Sequence, residues 1–180
     1  SRLKSTMKGL DFMAAATITT GKAARKTLML FFKVPGGSPE YELIGKGIEE
    51  ASISQSASVE AKPDILGNTD VTLDSYEKTT DLDPIYVTGG DKYSEWLDEL
   101  EEKEKILDDA KATFLVVKAY KTVEEGKYVA WEQDAVVEIT EFGGDTKGVN
   151  IPNTLHWVGD RTYGTFDPKT KAFTADGAAA

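Results

Sequence analysis

The stretch that decides the fold is YELIGKGIEEASISQSASVEAKPDILGNTDVTLDSYEK, residues 41–78. Its middle alternates strictly. Ala51, Ile53, Ala57 and Val59 fall on one side of an extended chain, with Gln55 the polar interruption. Glu50, Ser52, Ser54, Ser56, Ser58 and Glu60 fall on the other. Successive side chains of a strand point to opposite faces, so this pattern predicts a half-buried strand carrying a file of serines flanked by acids. AKPDILGNTD follows, rich in turn formers, and then a second alternating run in which Val71, Leu73 and Ser75 oppose Thr72, Asp74 and Tyr76. Two such runs joined by a polar loop predict a long antiparallel hairpin with a protruding tip.

Working outward towards the N-terminus, KTLMLFFKV (26–34) is apolar on both faces and is expected to be a central strand. PGGSP (35–39) stops it, and YELIGKGI (41–48) returns antiparallel. Residues 1–27 are read as a flexible arm that orders on a partner, since little beyond Leu10, Phe12 and Ile18 is available for burial. Met7 is read as the native start, with Ser1 to Thr6 a remnant before it.

Towards the C-terminus, TTDLDPIYVTGGD (79–91) is a connector, and DKYSEWLDELEEKEKILDD (91–109) is a helix capped by Asp91. Tyr93, Trp96, Leu97, Leu100 and Leu107 form its apolar stripe. Its acids, Glu95, Asp98, Glu99, Glu101 and Glu102, read as a solvated face beside Lys103 and Lys105. KATFLVVKAYK (111–121) is a strand of β-branched and aromatic residues. YVAWEQDAVVEITEFGGD (128–145) is one long bent strand or two, with Ala135, Val137 and Ile139 alternating with Val136, Glu138 and Thr140. A turn at 143–148 precedes the strand NIPNTLHWVGD (150–160), and RTYGTFD and KAFTA close the sheet as short pieces. The sum is a mainly β domain over 28–175, with 176–180 a tail. The expected fold is a β-sandwich or barrel of seven or eight antiparallel strands, with one α-helix over an open edge or end.

A chain of 180 residues suits one domain with a real core. The formal net charge of −10 argues against duplex nucleic acid as a ligand, because phosphate contacts need Lys and Arg. Cysteine is absent, which excludes disulfides and thiolate metal sites. No apolar run approaches the ~18–20 residues of a membrane helix, and no basic-then-apolar leader is expected at the start. His156 is the sole histidine; with Asp160 and a serine it can be drawn as a triad, but no nucleophile elbow accompanies it and it reads as a structural strand residue. Asp64, Asn68 and Asp70 lack the spacing and the bidentate Glu of a calcium loop, and a turn explains them. PGGSP and GKG lead into no helix, so no phosphate loop is expected. No catalytic group, metal or cofactor is expected.

The segment GIEEASISQSASVEAKPDILGNTDVTLDSYEKTTDLDPIY (47–86) resembles tail tube proteins of long-tailed bacteriophages. It is similar in particular to major tail proteins from phages of Gram-positive bacteria. The matching features are the IEE-opened strand, the KPDILGNT loop, the LDSYEKTTDLDP connector, the WLDEL helix, the FGGDTKGVNIP turn and the GTFDPKTKAFT ending. They span about residues 43–174, and the arm before them matches poorly. The resemblance implies a β-sandwich or barrel with a flanking helix, assembled as hexameric rings stacked into a hollow tube through which the genome leaves. It implies no catalysis and no cofactor. The implied partners are further copies of the chain, together with tape measure, tail-tip and tail-terminator proteins. DNA would pass without specific binding, no membrane is involved, and the place is the virion tail, assembled in the host cytoplasm.

Two sets of residues follow as expectations. Glu50, Ser52, Ser54, Ser56, Ser58, Glu60, Thr72, Asp74, Glu138 and Thr140 would line the channel, since hydroxyls and carboxylates make a wet wall that repels phosphate. Lys62, Pro63, Asp64, Ile65, Leu66, Gly67, Asn68, Thr69 and Asp70 would contact neighbouring subunits, as would the arm. The competing readings are the inner tube of a contractile tail or secretion device, a hydrolase resting on His156, and a carbohydrate-binding or adhesin sandwich. That last one would use Tyr128, Trp131, Trp157 and Tyr163 as a stacking platform.

Overall fold

Long runs of β-branched and aromatic residues build the spine of the molecule, because such side chains pack well on a pleated surface. They form β6 (Lys111–Glu124), β7 (Lys127–Ile139) and β10 (Asn153–Asp167), side by side and antiparallel. The computed structural model describes residues 16–37, 39–45, 48 and 50–177. Before the spine come β1 (Thr17–Ile18), β2 (Leu28–Lys33), β3 (Tyr41–Ile44), β4 (Ser54–Pro63), β5 (Thr69–Leu82) and the helix α1 (Lys92–Glu102). β8 (Gly143–Asp145) and β9 (Gly148–Asn150) pair as a small ribbon, and β11 (Ala172–Ala175) follows β10. The main sheet has nine strands in the order β3-β2-β6-β7-β10-β5-β4, with β1 beside β6 and β11 beside β10. The chain is thus mainly β and antiparallel with one flanking α-helix among the described residues, as expected, though with more strands than seven or eight.

Neighbouring residues of a strand face opposite ways, and β2 carries an aromatic on each side. Phe32 enters a core beneath α1, with ring centroids 5.0 Å from Tyr93, 5.1 Å from Trp96 and 5.7 Å from Phe114. Phe31 enters a second core with Tyr41, Leu115, Val117, Ala130 and Phe166. Its ring lies 4.8 Å from that of Phe166 on β10. Two strands, β6 and β7, lie between β2 and β10, a separation of roughly 14 Å in a flat sheet. The ring contact therefore requires the sheet to curl, closing its second face on itself. At the end of this curl an added Cβ on Gly164 would sit 2.1 Å from the Thr174 carbonyl oxygen and 2.7 Å from the Phe173 ring. Glycine there lets β11 and Phe173 close the core.

The helix is held as its sequence predicts. The Asp91 side chain accepts from the Tyr93 backbone N–H, and Tyr93, Trp96, Leu97 and Leu100 are buried. The Tyr93 hydroxyl donates to Asn153 Oδ1 at 2.6 Å, which ties α1 to β10. Leu107 does not join the stripe: Glu104 and Leu107 adopt left-handed backbone at φ 48° and 56°, the helical repeat ends first, and Leu107 is exposed. The helix also lies over a face of the sheet and not along an edge, because Phe32, Phe114 and Ile44 need cover there.

Other expectations change for local reasons. The KTLMLFFKV strand is second from the edge and not central; curl and helix bury both its faces all the same. NIPNTLHWVGD and RTYGTFD form one strand, because the register slips between Val158 and Thr162 and absorbs the extra residues as a bulge. The turn at 143–148 contains the paired β8 and β9. The first 15 residues of the expected arm lie outside the described residues, while Thr17 and Ile18 pair with Thr122 and Lys121 of β6.

Phe32 is fully buried at the meeting point of strand, helix and spine. Phe32→Ala is expected to cost about 4 kcal/mol, from lost burial and an unfilled cavity. In thermal unfolding followed by circular dichroism this should lower Tm by roughly 12 °C in a chain of this size.

Candidate functional site

Among the described residues, the β4–β5 hairpin is the element that leaves the body of the fold. β5 pairs with β10 only through 79–82, so the rest of the hairpin projects past the sheet. Ten residues of β4 correspond to a ribbon roughly 33 Å long. Every residue from Ser54 through Glu77 is exposed. This corrects the expected half-buried strand: the alternation is present, but none of the described residues covers its apolar side. A lone two-stranded ribbon is marginal in water, and a contiguous apolar patch on it marks an interaction surface.

Register assigns the faces. Ala57 pairs with Tyr76, Val59 with Leu73 and Ala61 with Val71, so these six share one side. Ser58 pairs with Ser75, Glu60 with Thr72 and Lys62 with Asp70 on the other, which also carries Ser54 and Ser56. The alternation expected of β5 is broken by a register shift opposite Ser58 and Val59. That shift leaves Asp74 without a partner residue in the ladder and puts Tyr76 on the apolar side and Ser75 on the polar one. An isolated aspartate in a run of alternating residues is a weak bulge signal, and sequence reasoning passed over it.

Through β10 the polar side continues onto β7. Thr79 pairs with His156 and Asp81 with Thr154, which in turn pairs with Glu138. Ser54, Ser56, Ser58, Glu60, Thr72 and Glu138 thus share one face of a continuous sheet. His156 Nε2 lies 2.7 Å from Glu138 Oε2, and Thr154 Oγ1 donates to Asp81 Oδ1 at 2.7 Å. Glu50 and Ser52 precede β4 and belong to the segment leading into it, where the Arg25 guanidinium donates to the Ala51 carbonyl. Thr140 lies just past β7 and donates to the Pro152 carbonyl. No group of three or more His, Asp or Glu side chains suited to a metal occurs among the described residues. Of the four aromatics of the carbohydrate reading only Tyr163 is exposed: its ladder neighbour Trp131 is buried, Trp157 is half-buried with its Nε1 donating to Thr80 Oγ1, and Tyr128 packs on the curled core.

The hairpin tip is a built turn. Asp64 Oδ1 accepts from the backbone N–H of Leu66 at 2.8 Å and of Asn68 at 2.9 Å, and Oδ2 accepts from Asn68 Nδ2 at 3.1 Å. This explains Asp64 and Asn68 without a cation. It also holds Ile65 and Leu66 out in solvent, at 103% and 82% relative exposure. Bonds from Asn68, first its backbone N–H and then its side chain, lower the Asp64 pKa. A depressed carboxyl stabilises the turn at pH above its unfolded value and ceases to do so as pH falls through the folded one. Asp64→Ala is expected to lower hydrogen-exchange protection of the Leu66 and Asn68 amides at neutral pH, leaving the global Tm within about 1 °C, since an exposed loop site contributes little to global stability.

No protein-family model matches the chain, and no curated protein matches it. Among solved structures the chain is similar to the anti-feeding prophage cap, described as the AFP tube terminating cap. The two are 13% identical with a TM-score of 0.48, over 87% of this chain and 99% of the other. A likeness of that degree transfers no function.

Proposed function

We propose that this chain is a structural subunit of a phage-type tail tube, polymerising as hexameric rings that stack into a hollow conduit for DNA. The observation that carries this reading is the projecting hairpin, exposed along all of Ser54 to Glu77 and apolar on one side only. The resemblance of 43–174 to major tail proteins supports it. So do the open edges: β3 and β4 end the main sheet, and each offers main-chain donors and acceptors to another chain. A neighbouring copy that adds to these edges and covers the apolar side completes what a single chain leaves unfinished, and a head-to-tail contact of this kind closes into a ring.

The polar side of the hairpin and of β7 would then face the channel. Serine and threonine hydroxyls with Glu60 and Glu138 keep that wall hydrated. Their charge repels phosphate over about a Debye length, roughly 8–10 Å in physiological salt. The tip loop 62–70 and the arm would make contacts between subunits.

The wild-type chain, concentrated and seeded with a tail-initiating complex, should form hollow filaments in negative-stain microscopy, whereas deletion of 62–70 should leave a folded monomer. Persistent monomer from the wild type, or normal tubes from the deletion, would overturn these assignments respectively. In a tube reconstruction Ser54, Ser56, Ser58, Glu60, Thr72 and Glu138 are expected on the inner wall; their appearance on the outer wall would reject the lining.

A further inference from the structure

Away from the hairpin, on the helix side of the sheet, two cations converge on one indole. Lys118 Nζ lies 5.1 Å from the centre of the Trp131 ring, and Arg161 Cζ lies 4.2 Å from it. Arg161 reaches this position because the bulge between Val158 and Thr162 displaces it from the β10 ladder. Tyr163 pairs directly with Trp131 across the β7–β10 ladder and is 56% exposed.

This cluster is incomplete. Two buried side-chain donors lack an acceptor among the described residues, Trp131 Nε1 and Arg161 Nε, and both belong here. Neither Arg161 nor Lys118 makes an ion pair with a described residue, although the chain carries 31 acids against 21 Lys and Arg. The carboxylates on β7 do not serve: Glu132 and Asp134 alternate onto the opposite face, where they accept from the Tyr41 hydroxyl and from Thr113 Oγ1. Stacking on an aromatic face leaves the edge of a guanidinium free for a bidentate carboxylate. Arg, Trp and Tyr together are also the side chains that dominate protein–protein hot spots.

We infer that Lys118, Trp131, Arg161 and Tyr163 form a carboxylate-binding hot spot that takes acidic side chains from the outer face of α1 in a second copy of this chain. Charge complementarity selects that occupant. Asp98 and Glu102 lie one helical turn apart, on the side away from the buried stripe, and neither makes an ion pair with a described residue. By contrast Glu99 is engaged by Lys103 and Lys105. A patch on one copy meeting a helix on the next is a head-to-tail contact, the kind that closes a ring. The inference rests on the self-assembly proposed above.

The test uses the full chain and three variants: Arg161→Glu, the pair Asp98→Lys with Glu102→Lys, and Arg161→Lys. Polymerisation is followed by light scattering and microscopy, and folding by thermal melts. Arg161→Glu should melt close to wild type yet raise the critical concentration for polymerisation by roughly 30-fold or more, the scale of a hot-spot loss. The helix pair should fail likewise. A mixture of the two should polymerise, because each acidic patch then meets a basic helix and each basic patch an acidic one. Arg161→Lys should retain part of the activity, and wild-type assembly should weaken with added salt. If Arg161→Glu assembles like wild type, or if the mixture gives no rescue, this inference is overturned while the tube reading stands. A wild type that never polymerises overturns both. Duplex DNA retained by wild type and released by Arg161→Glu would overturn it in favour of a phosphate ligand.

Discussion

An extended chain must alternate, and β2 places large aromatics on both of its faces. That one constraint shapes the molecule. Phe32 needs cover on one side and Phe31 on the other. The first is met by a separate element, α1, whose buried stripe lies over β2, β6 and β10. The second is met without another layer: the sheet curls until Phe31 reaches Phe166. Twist makes such a curl natural for long strands, and the bulges in β6 and β10 increase the bend locally.

Once both faces of the spine are covered, the described residues leave the hairpin uncovered. Its two sides then differ in kind. One presents aliphatic groups and Tyr76; the other presents hydroxyls and charged groups, among them Lys62 with its Nζ 3.1 Å from Glu60. A surface of this sort adheres on one side and stays wet on the other. Those are the two properties that the proposed tube would need, one for its joints and one for its bore.

Charge is distributed in the same spirit. Acids crowd the outer face of α1, where solvent screens them and individual pairs contribute little. Arg161 and Lys118 are held against the Trp131 ring, with no carboxylate of the described residues paired to either. Among the described residues this cation pair has no carboxylate partner, and the proposed contact with a second copy would supply one.

The sequence by itself determined the class of fold, the helix with its Asp91 cap, the hairpin and its built tip, because these depend on period, capping and turn chemistry within a few residues. It also marked which side chains of the hairpin share a side, except beyond the bulge at Asp74. Tertiary structure alone decided what covers each side. Alternation in β4 looks the same whether its apolar residues meet a core, a neighbour or water. Nor could spacing reveal that Arg161 and Lys118 meet over Trp131, since their approach depends on register between strands and on a bulge that no local pattern announces. Period is written into adjacent residues, whereas burial and convergence come from distant segments that fold together.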